Sequence, residues 1–80
     1  MTLTQLKYIV AVEQHKSFAR AAEQCLVAQP TLSLQIQKLE QELGFELFDR
    51  KKNPVVTTKI GAEIIKQAKL TLTETDKLYE

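Results

Sequence analysis

Between Pro30 and Gly44 the sequence places Leu32, Ile36, Leu39 and Leu43 at i, i+4, i+7 and i+11, a single apolar stripe. That period is helical, because side chains on a strand alternate at every second residue instead. Pro30 suits a first turn, where its missing N–H is not needed, and Gly44 can take the left-handed conformation that ends a helix. Both ends of this helix are therefore defined, as well as its inward face. The opposite face is Pro30, Ser33, Leu34 and Gln37, with Gln29, Thr31 and Lys38 at its edges: mostly short or amide side chains around one isolated leucine.

The flanking segments narrow the fold. Thr2 stands three residues ahead of Gln5, the capping-box spacing, and opens a helix with one apolar side at Leu6, Ile9 and Val10 and a second at Tyr8 and Val12. Lys16 and Ser17 break that pattern, and Ser17 can cap a short second helix over FARAAEQC. Only LVAQ then separates it from the striped helix, room for a turn and nothing more. Downstream, apolar patches at 45–48 and 55–56 flank DRKKNP, where Asn53 and Pro54 supply turn chemistry, which predicts a hairpin with a basic tip. Thr58 caps a final long helix whose apolar positions Ile60, Ile64, Ile65, Ala68, Leu72 and Leu78 run nearly to the last residue without a stop signal.

The expected class is mainly α: a winged helix-turn-helix of three helices and a two-stranded β wing over 1–57, followed by a long linker helix over 58–80. In that arrangement a short second helix braces a third that enters the major groove of DNA. The polar outer face suits such reading. Glutamine can pair with adenine N6 and N7, serine and threonine with either base type, and threonine or leucine can touch a thymine methyl. Phosphate attraction would come from the first-turn amides and from Arg50, Lys51 and Lys52, so the net charge of only +1 does not exclude DNA.

Other functions fare worse. Eighty residues hold one small domain, and a core of that size predicts help from an oligomer. A single cysteine, Cys25, and a single histidine, His15, give neither an internal disulfide nor a zinc set, and no metal or cofactor is predicted. Cys25, at the end of the short helix, reads as a small buried hydrophobe. Nothing assembles a nucleophile with a base, so no enzyme is expected. With no apolar run long enough to cross a bilayer and no signal segment after Met1, the chain is expected in the cytoplasm, away from membranes.

The run FARAAEQCLVAQPTLSLQIQKLEQELGFELFDR resembles the N-terminal DNA-binding domain of LysR-type bacterial transcriptional regulators, through SFARAAE, QPTLSLQIQKLEQELG and LFDR in order and spacing. The resemblance implies a linker helix that pairs with its twin to form a homodimer, tetrameric in some full-length members, on a pseudo-palindromic operator. It also implies a C-terminal effector domain, absent from this chain, on which a small molecule or oxidant acts to activate or repress transcription. The chain stops within a helix, as a fragment of such a regulator would. Within the family, CLVAQPTLSLQI is similar to the corresponding run of the peroxide-sensing OxyR branch, whose sensing cysteines lie in the effector domain.

Carried onto this sequence, the family's base-contacting positions are Gln29, Pro30, Ser33 and Leu34, with Thr31 and Lys38 beside them and Arg50, Lys51 and Lys52 on the wing. Three positions depart from the family pattern. Ala28 replaces the usual capping serine, Leu34 a frequent arginine, and Asn53 a frequent wing-tip arginine. The dimer interface is expected at Tyr8, Val12, Ile64, Ala68 and Leu72, because the last helix carries more apolar surface than three helices cover. Against this stand plainer readings: a solvated helix face, a solubilising charge run, Arg50 paired with a nearby carboxylate, another winged-helix family, or a winged-helix protein-interaction module that never binds DNA.

Overall fold

A computed structural model describes residues 1–79 and contains α1 (Leu3–His15), α2 (Phe18–Cys25), α3 (Gln29–Leu43), β1 (Phe48–Asp49), β2 (Val56–Thr57) and α4 (Lys59–Lys77). Glu80, the last residue of the expected linker helix, lies outside the described residues. The helix starts follow the side chains that can satisfy orphan amides. Thr2 and Gln5 close a full capping box, Ser17 accepts from the Arg20 amide, and Thr58 accepts from the Gly61 amide.

Left-handed residues end the first three helices: Lys16 at φ 54, Leu26 at φ 60 and Gly44 at φ 85. The turn between α2 and α3 is a Schellman motif, in which Val27 N–H donates to Ala22 O at 3.0 Å and Leu26 N–H to Glu23 O at 3.2 Å. Leu26 takes the strained conformation with its side chain 91% exposed. No glycine was needed for so tight a turn.

One core joins the helices to the base of the wing. Ile9 and Val12 of α1, Leu32, Ile36 and Leu39 of α3, Leu47 and Phe48 before and in β1, and Ile65 of α4 are its largest enclosed side chains. Each such side chain stabilises the fold by roughly 1.5–3 kcal/mol relative to exposure. The α3 stripe is thus anchored through its first three members, while Leu43 is only half buried.

The hairpin is shorter than its apolar patches predict. It pairs antiparallel with only Phe48 opposite Thr57 and Asp49 opposite Val56, and 45–47 are not in a strand. Polar capture explains the late start: Leu47 N–H donates to Glu40 Oε2 at 2.7 Å and so is lost to the ladder, although Leu47 O still accepts from Thr58 N–H across the hairpin at 3.0 Å. Val55 N–H reaches Lys16 O at 3.2 Å, which fixes the returning strand to the end of α1. The Asn53–Pro54 peptide in the wing turn is cis.

Candidate nucleic-acid interface

With Leu32, Ile36 and Leu39 enclosed, α3 cannot rotate, and its opposite side faces outward. Gln29, Pro30, Thr31, Gln37 and Lys38 are exposed, Ser33 is half buried, and Leu34 is 50% exposed. These are the residues that the sequence placed on one face, and they stand together over the first three turns. Gln35, their neighbour, is engaged elsewhere. Gln5 Nε2 of α1 donates to Gln35 O at 3.4 Å and to Gln35 Oε1 at 3.2 Å, while Gln5 Oε1 accepts the Thr2 amide at 3.0 Å. One buried amide therefore closes the α1 cap and orients α3.

The N-terminus of α3 offers fewer amides than the sequence led us to expect. Ala28 provides no side-chain cap, Pro30 has no N–H, and the Thr31 and Leu32 amides donate to Ala28 O at 3.1 and 3.2 Å. Among the described residues only the Gln29 amide of the first turn lacks a partner. An anion there would meet one free donor and the positive end of the helix dipole.

The basic wing tip divides by role. Lys51 and Lys52 are exposed and form no ion pair with any described residue. The turn beneath them is held by Asp49, whose carboxylate accepts Lys51 N–H at 3.1 Å. Arg50, grouped with them in the sequence, is different. Its Nη2 lies 2.7 Å from Glu40 Oε1 and its Nη1 3.2 Å from Glu40 Oε2, and the guanidinium stands over the Phe18 ring. Two of its five N–H donors are given to Glu40, so of the two expectations for Arg50 the structure displays the carboxylate pairing, with the side chain still 39% exposed.

Glu40 is the residue that sequence reading passed over. It sits on α3 beside Leu39 with its side chain 8% exposed and accepts from Arg50 and from the Leu47 amide. A carboxylate on the inward edge of an amphipathic helix, ten residues before an arginine on the wing, was the available signal.

The expected dimer surface needs a correction. Tyr8, Val12 and Ala68 are buried inside the chain, because α4 packs directly along α1 and uses that stripe for its own domain. Little of their surface is left for a second copy. Ile64 and Leu72 are half buried at the margin of this contact, and the apolar groups that α4 leaves outward are Ile60 and Leu70, 43% and 56% exposed. The Lys69–Glu13 ion pair at 2.6 Å further ties α4 to α1.

His15 hydrogen-bonds Gln24, joining the end of α1 to α2. Burial pushes the Cys25 thiol above its ordinary pKa. No group of three or more metal-ligating side chains occurs among the described residues, and no helix is long and apolar enough to cross a membrane.

The family described as "Bacterial regulatory helix-turn-helix protein, lysR family" matches residues 3–62. A hydrogen peroxide-inducible genes activator from Pectobacterium carotovorum subsp. carotovorum is 45% identical over 80 residues, covering 100% of this chain and 26% of that protein. The chain thus spans about a quarter of the length of the curated relatives it matches. Among solved structures, a BenM DBD/benA site 1 DNA complex superposes with a TM-score of 0.95 at 43% identity, covering 99% of this chain and 89% of that one. A full-length OxyR cysteine-to-aspartate variant from Pseudomonas aeruginosa gives a TM-score of 0.94 at 47% identity, covering 99% of this chain and 27% of that one.

Proposed function

The chain belongs to the lysR family of bacterial regulatory helix-turn-helix proteins, and from that premise we propose that it binds double-stranded DNA sequence-specifically as the reading domain of a cytoplasmic transcriptional regulator. The observation that carries this is the outward face of α3 from Gln29 to Lys38, held in one orientation by a fully enclosed opposite stripe. Lys51 and Lys52, exposed and unpaired, lie on phosphates beside the groove and set register; Gln29, Pro30, Ser33 and Leu34 meet base edges, with Thr31 and Lys38 at the margins. The role is binding, with no catalytic step.

Two copies act together, joined through the outward side of α4, so that paired α3 helices reach half-sites about one helical turn apart. The DNA complex of the BenM domain, at 43% identity, supports this reading of α3. Relatives named for hydrogen peroxide-inducible genes support a peroxide-responsive regulator as the parent protein, with sensing carried by a region other than these residues.

Selection from a random duplex library with the purified chain, followed by sequencing of the retained pool, tests the proposal. Enrichment of an inverted repeat is the expected result. A folded protein that enriches no motif and binds with no salt dependence would instead fit a protein-interaction module.

A further inference from the structure

We propose that Leu34 recognises the C5-methyl group of a thymine, so that one base pair in each half-site is specified by an apolar contact. This rests on the assignment of α3 as the DNA-reading helix and names what part of that helix selects.

Leu34 stands 50% exposed on α3, one turn beyond Pro30, with the enclosed Leu32, Ile36 and Leu39 preventing any rotation that would hide it. No cation accompanies it. Guanine is usually selected by arginine or lysine reaching O6 and N7 together, yet the sole basic residue of α3 is Lys38, in its third turn. The Arg50 guanidinium is held by both oxygens of Glu40. The side-chain oxygen of Gln35, next to Leu34, accepts from Gln5.

What remains at the centre of the face is the isobutyl group of Leu34 above the Pro30 ring position, flanked by the hydroxyl of Ser33 and the amide of Gln37. Hydrocarbon set against a base edge gains only where it covers hydrocarbon. Of the four bases seen from the major groove, thymine alone presents a methyl group. Covering one methyl is equivalent to about a fourfold change in affinity.

The test uses the duplex enriched from the random library. Each thymine is replaced singly by deoxyuridine, which removes the methyl and leaves every hydrogen-bonding group, and binding is followed by fluorescence anisotropy for the wild type and for Leu34→Ala. At one symmetry-related thymine per half-site, the replacement should weaken the wild type about fourfold and leave Leu34→Ala unchanged. Changing that pair to C·G should also weaken binding, and 5-methylcytosine should restore part of the loss for the wild type only.

A wild type that binds the duplex specifically yet ignores every deoxyuridine overturns the proposal and leaves DNA reading by α3 intact. So does a Leu34→Ala chain as sensitive to demethylation as the wild type, which would move the contact to another side chain. A wild type that enriches no duplex at all overturns the methyl contact and the DNA assignment together.

Discussion

Arg50 on the wing holds Glu40 on α3 through two parallel hydrogen bonds, 2.7 Å from Nη2 to Oε1 and 3.2 Å from Nη1 to Oε2, with its guanidinium carbon 5.1 Å from the centroid of Phe18. Phe18 in turn meets Phe48 edge-on at 5.8 Å. The C-terminal half of α3, the start of α2 and the first wing strand are therefore linked in series, Glu40 to Arg50, Arg50 to Phe18 and Phe18 to Phe48. The Glu40 side chain is 8% exposed and that of Arg50 39%, which places the pair between the surface and buried limits.

Arg50→Ala should cost about 2–3 kcal/mol of stability, since it strands a buried carboxylate and removes packing from Phe18. Arg50→Lys should recover a minority of that loss, because one ammonium cannot reproduce the planar fork. Urea denaturation reads both values. For the folded Arg50→Ala chain, the slope of log affinity for DNA against log salt should match that of the wild type. A slope reduced by about one would return Arg50 to the phosphate-contacting group.

Lys51→Ala and Lys52→Ala should do the opposite. Each should leave the urea midpoint within about 0.5 kcal/mol of wild type, as surface substitutions usually do. Each should lower the magnitude of the salt slope by about 0.9 and weaken specific and nonspecific duplexes alike. Leu34→Arg should steepen the slope by a similar amount and raise affinity for DNA in general while flattening preference at one base step. An unaltered slope in that variant would remove position 34 from the DNA surface.

Gly61→Ala should be severe for a reason unrelated to DNA. A Cβ at Gly61 would lie 2.0 Å from the Leu47 carbonyl oxygen, and the atoms in its way are backbone. The first turn of α4 would have to leave Leu47, whose carbonyl also accepts the Thr58 amide at 3.0 Å. A loss of about 3 kcal/mol or more, or failure to fold, is expected by circular dichroism. Gly44→Ala is the control: its φ of 85 is strained for alanine, yet nothing lies within 4 Å of the added carbon, so about 1 kcal/mol is expected.

Sequence pattern made the helices legible because their signals are local. Thr2 with Gln5, Ser17, Thr58 and Gly44 act within a few residues, and each is a cap in the structure. The outward face of α3 was legible for the same reason, since the stripe behind it repeats every turn. What was not legible depended on residues far apart in the chain. The late start of β1 needs Glu40 to take the Leu47 amide, and the role of Arg50 needs that same carboxylate. Gln5 could be read as a cap, but its second bond to Gln35 spans thirty residues. The burial of Tyr8, Val12 and Ala68 within one chain has this origin too. An apolar stripe on α4 states that something covers it, and only packing along α1 says that the cover is the chain itself.

Cys25 should be a poor nucleophile. Burial raises its thiol pKa, so at neutral pH it stays protonated and alkylation by iodoacetamide should be several-fold slower than in the urea-unfolded chain. The sign for stability follows. Between the unfolded and the higher folded pKa, the native chain retains a proton that the unfolded chain has lost. Stability from this group is full below the ordinary thiol range and declines as pH rises through it. Cys25→Ala should flatten that decline in urea titrations above neutral pH.

The outward side of α4 makes the last prediction. Leu70, Glu74 and Leu78 lie one turn apart beside Gln67, and Leu70 and Leu78 are 56% and 83% exposed. Ile60 adds another exposed apolar group near the start of the helix, 43% exposed. A small domain that leaves such groups uncovered gains by pairing them across a two-fold axis. Leu70→Glu should therefore shift a sedimentation concentration series from dimer toward monomer by at least about tenfold in dissociation constant. Its far-ultraviolet circular dichroism should remain that of the wild type, because Leu70 touches no core. Ala68→Glu separates the two sides of the helix: Ala68 is 3% exposed against α1, and a carboxylate there should unfold the monomer itself. If Leu70→Glu dimerises as tightly as wild type, the copies meet on a different surface, and the spacing of the two α3 helices has to be set from there.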